Sequence, residues 1–230
     1  MECIILAGGK GTRMKHILED TPKCLAIVNG RPFIEYLMEY LERQYFDHII
    51  LSLGVGADQV LDWLKNKAFT FKISWVIEKK PLDTGGALKK AFLKCKEEDC
   101  FVINGDTLFN VPLNNMWKER TIAGKAIIAL KQMKDFDRYG TVITDKNGVI
   151  IAFKEKEYCE SGYINGGVYL FQNVFTIFND FPEKFSLEKD FFEKEAGTGN
   201  LKSFLCDNYF IDIGIEEDYK RAQDEIGTFI

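Results

Sequence analysis

The apolar residues in the first half of the chain fall into short runs, separated by longer stretches with helical periodicity. Each run is four to six residues long, as is typical of buried strands, and the runs are residues 3–6, 48–53, 72–77 and 100–103. Between the first two runs, one helix face is marked by Ile34, Leu37, Met38 and Leu41. This alternation of strand and helix predicts an α/β fold with a mostly parallel sheet that is covered on both faces.

Turn and capping residues set the limits of the predicted helices. Pro32 suits the first turn of a helix that extends to about Gln44. Thr84 is a good N-cap residue and predicts a helix from there to about Cys95. Further helices are expected around residue 60, from about residue 186 and from about residue 216, whereas residues 22–28 are expected to be extended.

Strands dominate the second half of the chain. They are predicted at residues 125–130, 141–144, 149–153, 164–171, 201–205 and 209–211, with a hairpin turn between the second and the third. No linker, low-complexity tract or internal repeat interrupts the pattern. We therefore expect one domain, residues 1–230, with a nucleotide-binding lobe of approximately residues 1–110 and a smaller lobe of approximately residues 111–230.

Charge and cysteine usage exclude several classes of protein. The formal charge is −5, so the chain lacks the positive field that would attract nucleic acids or anionic membranes. No apolar stretch approaches the ~20 residues of a membrane helix, and the first strand begins too early to follow a signal peptide. Six cysteines without a C-x-x-C pair, beside only two histidines, argue against zinc and redox motifs. We expect a cytoplasmic protein with reduced cysteines that binds no nucleic acid and no membrane.

The strongest chemical signal is the glycine-rich loop that follows the first strand. Gly8, Gly9 and Gly11 alternate with Lys10 and Arg13, and a further lysine follows at position 23. Glycines let backbone N–H groups approach an anion, and the cations supply charge for a polyphosphate. A plain strand-to-helix turn explains one or two glycines but not the cations among them.

Two common nucleotide-binding patterns do not fit this loop. The dinucleotide pattern requires a glycine at position 14, where Met14 stands, and this disfavours a nicotinamide dehydrogenase. The phosphate loop of NTPases ends in Gly-Lys-Ser or Gly-Lys-Thr, and neither occurs in the chain.

Six segments, in order along the chain, resemble the signatures of sugar-1-phosphate nucleotidyltransferases. They are residues 6–14 with 22–23, 83–88, 104–106, 153–156, 165–167 and 212–214. The resemblance implies a Rossmann-like, mostly parallel mixed sheet with a smaller sugar-binding lobe. It also implies in-line attack of a sugar phosphate on the α-phosphate of an NTP, giving an NDP-sugar and pyrophosphate. Such a reaction requires neutralised and aligned phosphates rather than a nucleophilic side chain.

The same resemblance assigns roles to individual residues. It places Arg13 and Lys23 on the pyrophosphate and the α-phosphate, and Lys156 on the sugar phosphate. The implied nucleotide-binding residues are Leu6, Ala7, Gly8, Gly9, Gly11, Thr12, Glu78, Thr84 and Gly85, and the implied sugar-binding residues are Gly140, Glu155 and Asn165. Mg²⁺ is the implied cofactor, held by Asp106 and Asp212, and carboxylates suit a small hard cation. The structural alternatives are a turn-capping role for Asp106 and solvated surface charge for the lysines.

Within the family, the compact form resembles the D-glycero-D-manno-heptose 1-phosphate guanylyltransferases most, which implies GTP as the donor. Mannose-1-phosphate guanylyltransferase and N-acetylmuramate-1-phosphate uridylyltransferase are alternatives, and a non-catalytic nucleotide-sensing subunit is an alternative of another class. Glu157 stands where relatives often have proline, and the role of Lys10 is left open. No left-handed β-helix of hexapeptide repeats is expected after Asp212. The expected partners are small-molecule substrates, and no pattern decides whether the chain forms a homo-oligomer.

Overall fold

A mixed sheet runs through the molecule. The computed structural model describes residues 1–9, 11, 14–121 and 124–229, and nine strands of these residues form that sheet. The strands in chain order are β1 (Glu2–Ala7), β2 (Ile27–Val28), β3 (Arg31–Pro32), β4 (His48–Leu53), β5 (Lys72–Ile77), β6 (Cys100–Asn104), β7 (Thr107–Phe109), β8 (Ala126–Phe136), β9 (Gly140–Thr144), β10 (Ile150–Lys156), β11 (Cys159–Phe171), β12 (Leu201–Cys206) and β13 (Phe210–Asp212).

Helices connect most of the strands of the first half. They are α1 (Lys15–Leu18), α2 (Phe33–Arg43), α3 (Ala57–Leu64), α4 (Asp83–Phe92), α5 (Leu113–Lys118), α6 (Glu193–Glu195) and α7 (Glu216–Glu225), with a π-helical turn at Leu187–Phe192 before α6. Short 3₁₀ turns lie at Lys23–Leu25 and Ile226–Thr228. No helix in the described part of the chain is long and apolar enough to cross a membrane.

The first half of the chain builds the parallel part of the sheet, in the order β5-β4-β1-β6. The predicted limits of β4 and β5 are confirmed at both ends. β11 then joins β6 in antiparallel fashion and also pairs with β8 and β9, while β10 pairs with β9 and β12 runs parallel to β8. The predicted mixed α/β fold is confirmed.

A hydrophobic core lies on each face of the central strands. Successive residues of a strand point to opposite sides, so neighbouring residues belong to different cores. On one face Cys3 and Ile5 belong to a core that also contains Leu37 of α2. On the other face Ile4 packs in a second core with Leu88 of α4. The helices of the first half therefore cover opposite faces, as the alternating pattern predicts.

A buried polar network closes the amino end of the parallel strands. Glu2 Oε1 lies 2.6 Å from His48 Nδ1, and His48 Nε2 lies 2.8 Å from Ser74 Oγ. The second oxygen of Glu2 accepts hydrogen bonds from the backbone amides of Lys96 and Glu97. Burial raises the pKa of the Glu2 carboxyl, but these hydrogen bonds outweigh it and the pKa lies below its ordinary value. This network fixes the end of the sheet that lies opposite the carboxyl ends of the strands.

Three local predictions differ from the structure. Residues 22–28 are not wholly extended, because a 3₁₀ turn occupies Lys23–Leu25. The predicted N-cap Thr84 is wrong, since the helix begins at Asp83 and its N-cap position is Leu82, two residues before Thr84. β8 and β11 are longer than predicted, because their polar ends continue to pair with each other from Lys131 to Phe136.

Candidate active site

A cavity of about 760 Å³ opens at the carboxyl ends of the parallel strands. Open α/β sheets commonly bind ligands at this edge. The residues predicted for nucleotide or metal that line the cavity are Leu6, Gly8, Gly9, Glu78, Thr84 and Asp106. The lining residues that were not predicted include Ser52, Gly54, Val55, Asn104, Lys184 and Glu188. Thr12 and Arg13 lie outside the described residues, as does Lys10.

Glycines that follow β1 and β4 allow the backbones of the two segments to pack closely against each other. A Cβ on Gly54 would lie 2.6 Å from the carbonyl oxygen of Gly8, and a Cβ on Gly8 would lie 2.6 Å from Glu78 Oε1. The backbones after β1 and β4 therefore touch each other, and the Glu78 carboxylate lies directly against the glycine loop. Ala7 does not line the cavity and instead lies close to Gly105, whose Cβ would be 3.1 Å from that of Ala7.

Glu78 follows β5 and is held by the start of the next segment. The backbone N–H of Leu82 donates to Glu78 Oε2 over 3.0 Å. Burial raises the pKa of the Glu78 carboxyl above its ordinary value, with Asp83 adding to the effect and the Leu82 amide and Lys90 opposing it. A half-buried acceptor of this kind can read hydrogen-bond donors on a ligand.

Lys23 and Asp106 form an ion pair at the edge of the cavity. Lys23 Nζ donates to Asp106 Oδ2 over 2.9 Å, with side-chain exposures of 14% and 30%. The aliphatic stem of Lys23 packs beside Gly11, whose Cβ would lie 3.4 Å from Lys23 Cγ. Burial, and then the nearby Asp106, raise the pKa of the Cys24 thiol to about 12. The ion pair between Lys23 and Asp106 connects the segment after the glycine loop to the end of β6.

A two-stranded ribbon brings Asp212 next to Asp106. β13 pairs antiparallel with β7, so that Asp212 lies opposite Thr107. The backbone N–H of Ile213 donates to the carbonyl oxygen of Asp106 over 2.9 Å, and the N–H of Gly214 donates to Asp212 Oδ1 over 2.7 Å. The structure thus places the backbones of Asp106 and Asp212, the two residues that the sequence predicts as metal ligands, next to each other.

The predicted sugar-binding residues form a separate group on the second half of the sheet. Lys156 lies opposite Gly140 where β10 pairs with β9, and both Lys156 and Glu155 are exposed. A Cβ on Gly140 would lie 2.3 Å from the carbonyl oxygen of Lys154, so a side chain cannot fit there without a backbone shift. Neither these residues nor Asn165 line the cavity described above.

Asn165 is connected to the cavity through a buried tyrosine. The side chains of Asn165 and Asn104 both hydrogen-bond the hydroxyl of Tyr169, while Asn165 Oδ1 accepts the N–H of Gly167 over 2.9 Å. Gly167 has a φ of +71°, and a Cβ there would lie 2.6 Å from Asn104 Nδ2. The pairing of β11 with β8 is interrupted by a bulge between Asn165 and Tyr169. Gly167 of this bulge therefore packs against the side-chain amide of Asn104, which lines the cavity.

The segment with the predicted base-binding glycines is covered by another part of the chain. A Cβ on Gly85 would lie 2.2 Å from the ring of Phe185, and the Gly85 N–H donates to the Phe185 carbonyl over 3.0 Å. Thr84 faces the cavity, and its hydroxyl donates to Glu188 Oε2 over 2.7 Å and accepts the N–H of Leu187. Phe185 therefore packs on Gly85, one of the predicted nucleotide-binding residues, while its neighbour Thr84 lines the cavity.

Comparison with known proteins identifies the family. A family model described as nucleotidyl transferase matches residues 2–228, nearly the whole chain. The chain belongs to the nucleotidyl transferase family. The resemblance drawn from the glycine loop and the five segments after it is confirmed.

Named relatives of this nucleotidyl transferase align along its full length. The D-glycero-alpha-D-manno-heptose 1-phosphate guanylyltransferase of Aneurinibacillus thermoaerophilus is 46% identical, over 100% of both chains. The enzyme of the same name from Campylobacter jejuni is 42% identical, over 95% of this chain and 97% of its own. The crystal structure of HddC from Yersinia pseudotuberculosis complexed with GMP-PN superposes with a TM-score of 0.88 at 37% identity, covering 98% of this chain and 99% of that one.

Several cavity residues carry no usable signal in the sequence. Ser52 lies inside an apolar strand, where a serine is usually a small filler. Lys184 and Glu188 are more than a hundred residues from the glycine loop, and contacts such as the packing of Phe185 on Gly85 and the hydrogen bond from Thr84 to Glu188 bring their segment to the cavity. Asn104 belongs to the segment 104–106, and its place two residues before Asp106 is the sequence signal for a role in the cavity.

Proposed function

We propose that the protein transfers the guanylyl group of GTP to D-glycero-α-D-manno-heptose 1-phosphate, giving GDP-heptose and pyrophosphate. The names of the relatives at 46% and 42% identity support this activity, as does the GMP-PN bound by HddC. The observation that carries the proposal is the juxtaposition of Asp106, Asp212 and Lys23 beside the glycine loop.

The proposed reaction is a displacement at phosphorus. An oxygen of the sugar 1-phosphate forms a bond to the α-phosphorus of GTP, and the bond from that phosphorus to the β-bridging oxygen breaks. The attacking phosphate has a second pKa near ~6 and is already deprotonated at neutral pH, so no general base is needed. The main task of the protein is to neutralise and align the phosphates.

The chain supplies cations from both halves for that task. Lys23 lies at the cavity edge, and we assign its ammonium, which donates to Asp106 in this structure, to the α-phosphate. We assign Arg13 to the pyrophosphate and Lys156 to the sugar phosphate. The remaining roles are nucleotide binding by Leu6, Ala7, Gly8, Gly9, Gly11, Thr12, Thr84 and Gly85, and sugar binding by Gly140, Glu155 and Asn165.

Nucleotidyl transferases of this family generally use a divalent metal. In the described ranges, no three His, Cys, Asp or Glu side chains are grouped to hold a metal by themselves. Mg²⁺ is commonly held by one or two carboxylates together with substrate phosphates, and the paired Asp106 and Asp212 fit that requirement. When bound, Mg²⁺ would offset the negative charge of the phosphates.

Glu78 is the residue that we assign to guanine selection. Guanine presents its N1–H and its 2-amino group side by side as donors, whereas adenine presents an acceptor at N1. An ionised carboxylate only accepts hydrogen bonds, so it favours the guanine edge. Since the Leu82 amide fixes Glu78 against the glycine loop, the carboxylate is oriented before the nucleotide arrives.

The two lobes and the cellular location are part of the same proposal. Approximately residues 1–110 supply most of the nucleotide pocket and approximately residues 111–230 the sugar site and the second carboxylate, within a single domain. The shared sheet supports the single domain, because β11 of the second lobe pairs directly with β6 of the first. We assign the enzyme to the cytoplasm, where GTP is available.

A pyrophosphate-release assay tests the proposal. GTP, ATP, UTP, CTP and dTTP are each combined with heptose, mannose or N-acetylmuramate 1-phosphate, with and without Mg²⁺. We expect the highest kcat/KM for GTP with the heptose phosphate, and only when Mg²⁺ is present. A higher value for mannose phosphate, or for UTP with N-acetylmuramate phosphate, would replace the proposed substrates. GTP binding without any turnover would instead indicate a nucleotide sensor.

The Asp106→Asn variant tests the site in the same assay. Replacing the carboxylate with an amide keeps the shape of the side chain and removes a metal ligand, so turnover should almost disappear. A single cooperative thermal unfolding transition would show that the fold is intact. Near-normal turnover would remove Asp106 from the proposed site.

A further inference from the structure

Ser52 is a buried polar residue on the floor of the nucleotide cavity. Its side chain is fully buried, and its hydroxyl has no hydrogen-bond partner among the described residues. A buried hydroxyl without a partner destabilises the fold because it loses its hydrogen bonds to water, so such groups are rare in native proteins. Ser52 also lines the cavity, which makes a ligand the natural partner for its hydroxyl.

The pairing of the strands shows what surrounds this hydroxyl. Leu6 of β1 lies opposite Asn104 of β6 on one side and opposite Ser52 of β4 on the other. These three residues therefore form one row across the sheet, and all three line the cavity. Below Ser52 on the same face, Ile50 belongs to the core beneath α4. Ser52 is thus the last side chain of its column before the cavity begins.

Towards the carboxyl end of the strands, the next positions on the same face as Ser52 are glycines and carry no side chains. Residues two apart on a strand share a face, so Gly54 follows Ser52 and Gly8 follows Leu6. These two glycines touch each other through their backbones, and Glu78 lies against Gly8. The column above the hydroxyl is therefore bounded by backbone and by a carboxylate, and no bulky side chain of these residues shields it.

The chemistry of this corner of the cavity suits a nucleobase better than a phosphate. Leu6, Val55, Pro81 and Ala87 line the cavity, and Val55 is 61% exposed, so apolar surface is available to the faces of a flat ring. The lysine that we assign to phosphate is instead placed beside Gly11 and Asp106. A hydroxyl that both donates and accepts can pair with the polar edge of a base.

We propose that the Ser52 hydroxyl hydrogen-bonds the guanine base of bound GTP, next to the Glu78 carboxylate. This inference rests on the proposed function for the identity of the base. Ser52 is then a base-contacting residue whose hydroxyl gains its partner only when the nucleotide binds. Its removal should therefore have opposite effects on the free protein and on the complex.

Ser52→Ala in the full chain provides the test. Without nucleotide, the variant should melt about 2–4 °C above the wild type, the shift that about 1 kcal/mol produces in a protein of this size. The dissociation constant for GTP, measured by titration calorimetry without sugar phosphate, should rise about tenfold, which corresponds to about 1.4 kcal/mol. The inhibition constant of inorganic tripolyphosphate should not change, because tripolyphosphate has no base.

Ser74→Ala is the matched control. Ser74 lies on the neighbouring strand β5, and its hydroxyl is 2.8 Å from His48 Nε2. Its removal leaves a buried histidine nitrogen without that contact, so the melting temperature should fall while GTP affinity stays the same. The two serines should therefore change stability in opposite directions, and only one should affect the nucleotide.

Two results would overturn the proposal. One is GTP affinity in Ser52→Ala within twofold of the wild type, which would leave the hydroxyl without a ligand role. The other is an equal loss of tripolyphosphate and GTP binding, which would indicate a general disturbance of the cavity. If the wild type binds another NTP in place of GTP, the guanylyl assignment fails, and the same three measurements with that NTP test Ser52 separately.

Discussion

The ion pair between Lys23 and Asp106 gives the sharpest prediction, because it links stability and turnover in one contact. The perturbation is Lys23→Met, which removes the ammonium and keeps an unbranched stem beside Gly11. At 2.9 Å, the charges attract by roughly 6 kcal/mol for an effective dielectric of ~20. Most of that attraction is offset by the desolvation of both groups.

The exposures of the two side chains decide the net effect on stability. Removing one partner of a fully buried pair costs about 3–5 kcal/mol, while exposed pairs contribute about 0.2–1 kcal/mol. With 14% of Lys23 and 30% of Asp106 exposed, the pair lies between these limits. We expect Lys23→Met to lower the free energy of unfolding by about 1–2 kcal/mol, measured by urea denaturation without ligands.

The effect on turnover should be larger than the effect on stability. If the ammonium turns to the α-phosphate in the transition state, kcat should fall by about 10²–10³, the scale for one electrostatic contact of this kind. Pyrophosphate release with saturating GTP and heptose 1-phosphate measures it. The matched control is Lys131→Met, since Lys131 is 16% exposed and paired with Asp207 away from the cavity, and its kcat should not change.

A double variant separates the two roles of Lys23. In an Asp106→Asn background the ion pair is already lost, so Lys23→Met should lower the stability by much less than it does in the wild type. A kcat within threefold of the wild type for Lys23→Met, with unchanged stability, would refute both the pair and the phosphate contact.

Three further predictions concern other parts of the chain. Glu2→Gln should reduce the free energy of unfolding at pH 7, because the pKa of Glu2 is lower in the folded state than in the unfolded state. The stability that the carboxylate contributes is present above the unfolded-state pKa and is lost as the pH falls through the folded-state pKa. The urea denaturation curves of the variant and the wild type should therefore converge in acid. Gly54→Ala should cost about 1–3 kcal/mol in the same denaturation, since its Cβ meets the Gly8 carbonyl, whereas Gly9→Ala, with open space around the added Cβ, should leave stability unchanged. Lys156→Ala should raise the KM for the sugar phosphate without lowering the melting temperature, and an unchanged KM would remove it from the sugar-phosphate site.

The parallel half of the fold was predictable because its signals are local. β4 and β5 are mostly apolar runs between turn residues, so their limits follow directly from the sequence. The glycine loop and Asp106 were likewise placed correctly at the carboxyl edge, because that location follows from strand order alone.

The remaining features depend on contacts between distant segments. Gly85 is a glycine because Phe185 packs on it, and nothing near Gly85 in the sequence indicates that contact. Thr84 has the residue type of a helix cap, but its hydroxyl instead donates to the Glu188 carboxylate and accepts the backbone N–H of Leu187. Ser52 lies in a buried strand, and only the pairing of β1, β4 and β6 shows that it faces a cavity.

The ribbon of β7 and β13 also has a consequence for how specificity can change between relatives. The backbone N–H of Asn110 donates to the carbonyl of Tyr209 over 3.0 Å, so the chain leaves the ribbon and returns to it at neighbouring points. Most of the second lobe is inserted between those points, including the residues assigned to the sugar. Recombination at these two points would exchange that whole segment, provided that β11 keeps its pairing with β6. The carboxylates of Asp106 and Asp212 lie outside the exchanged segment, so new acceptor sugars can be acquired without rebuilding the catalytic centre.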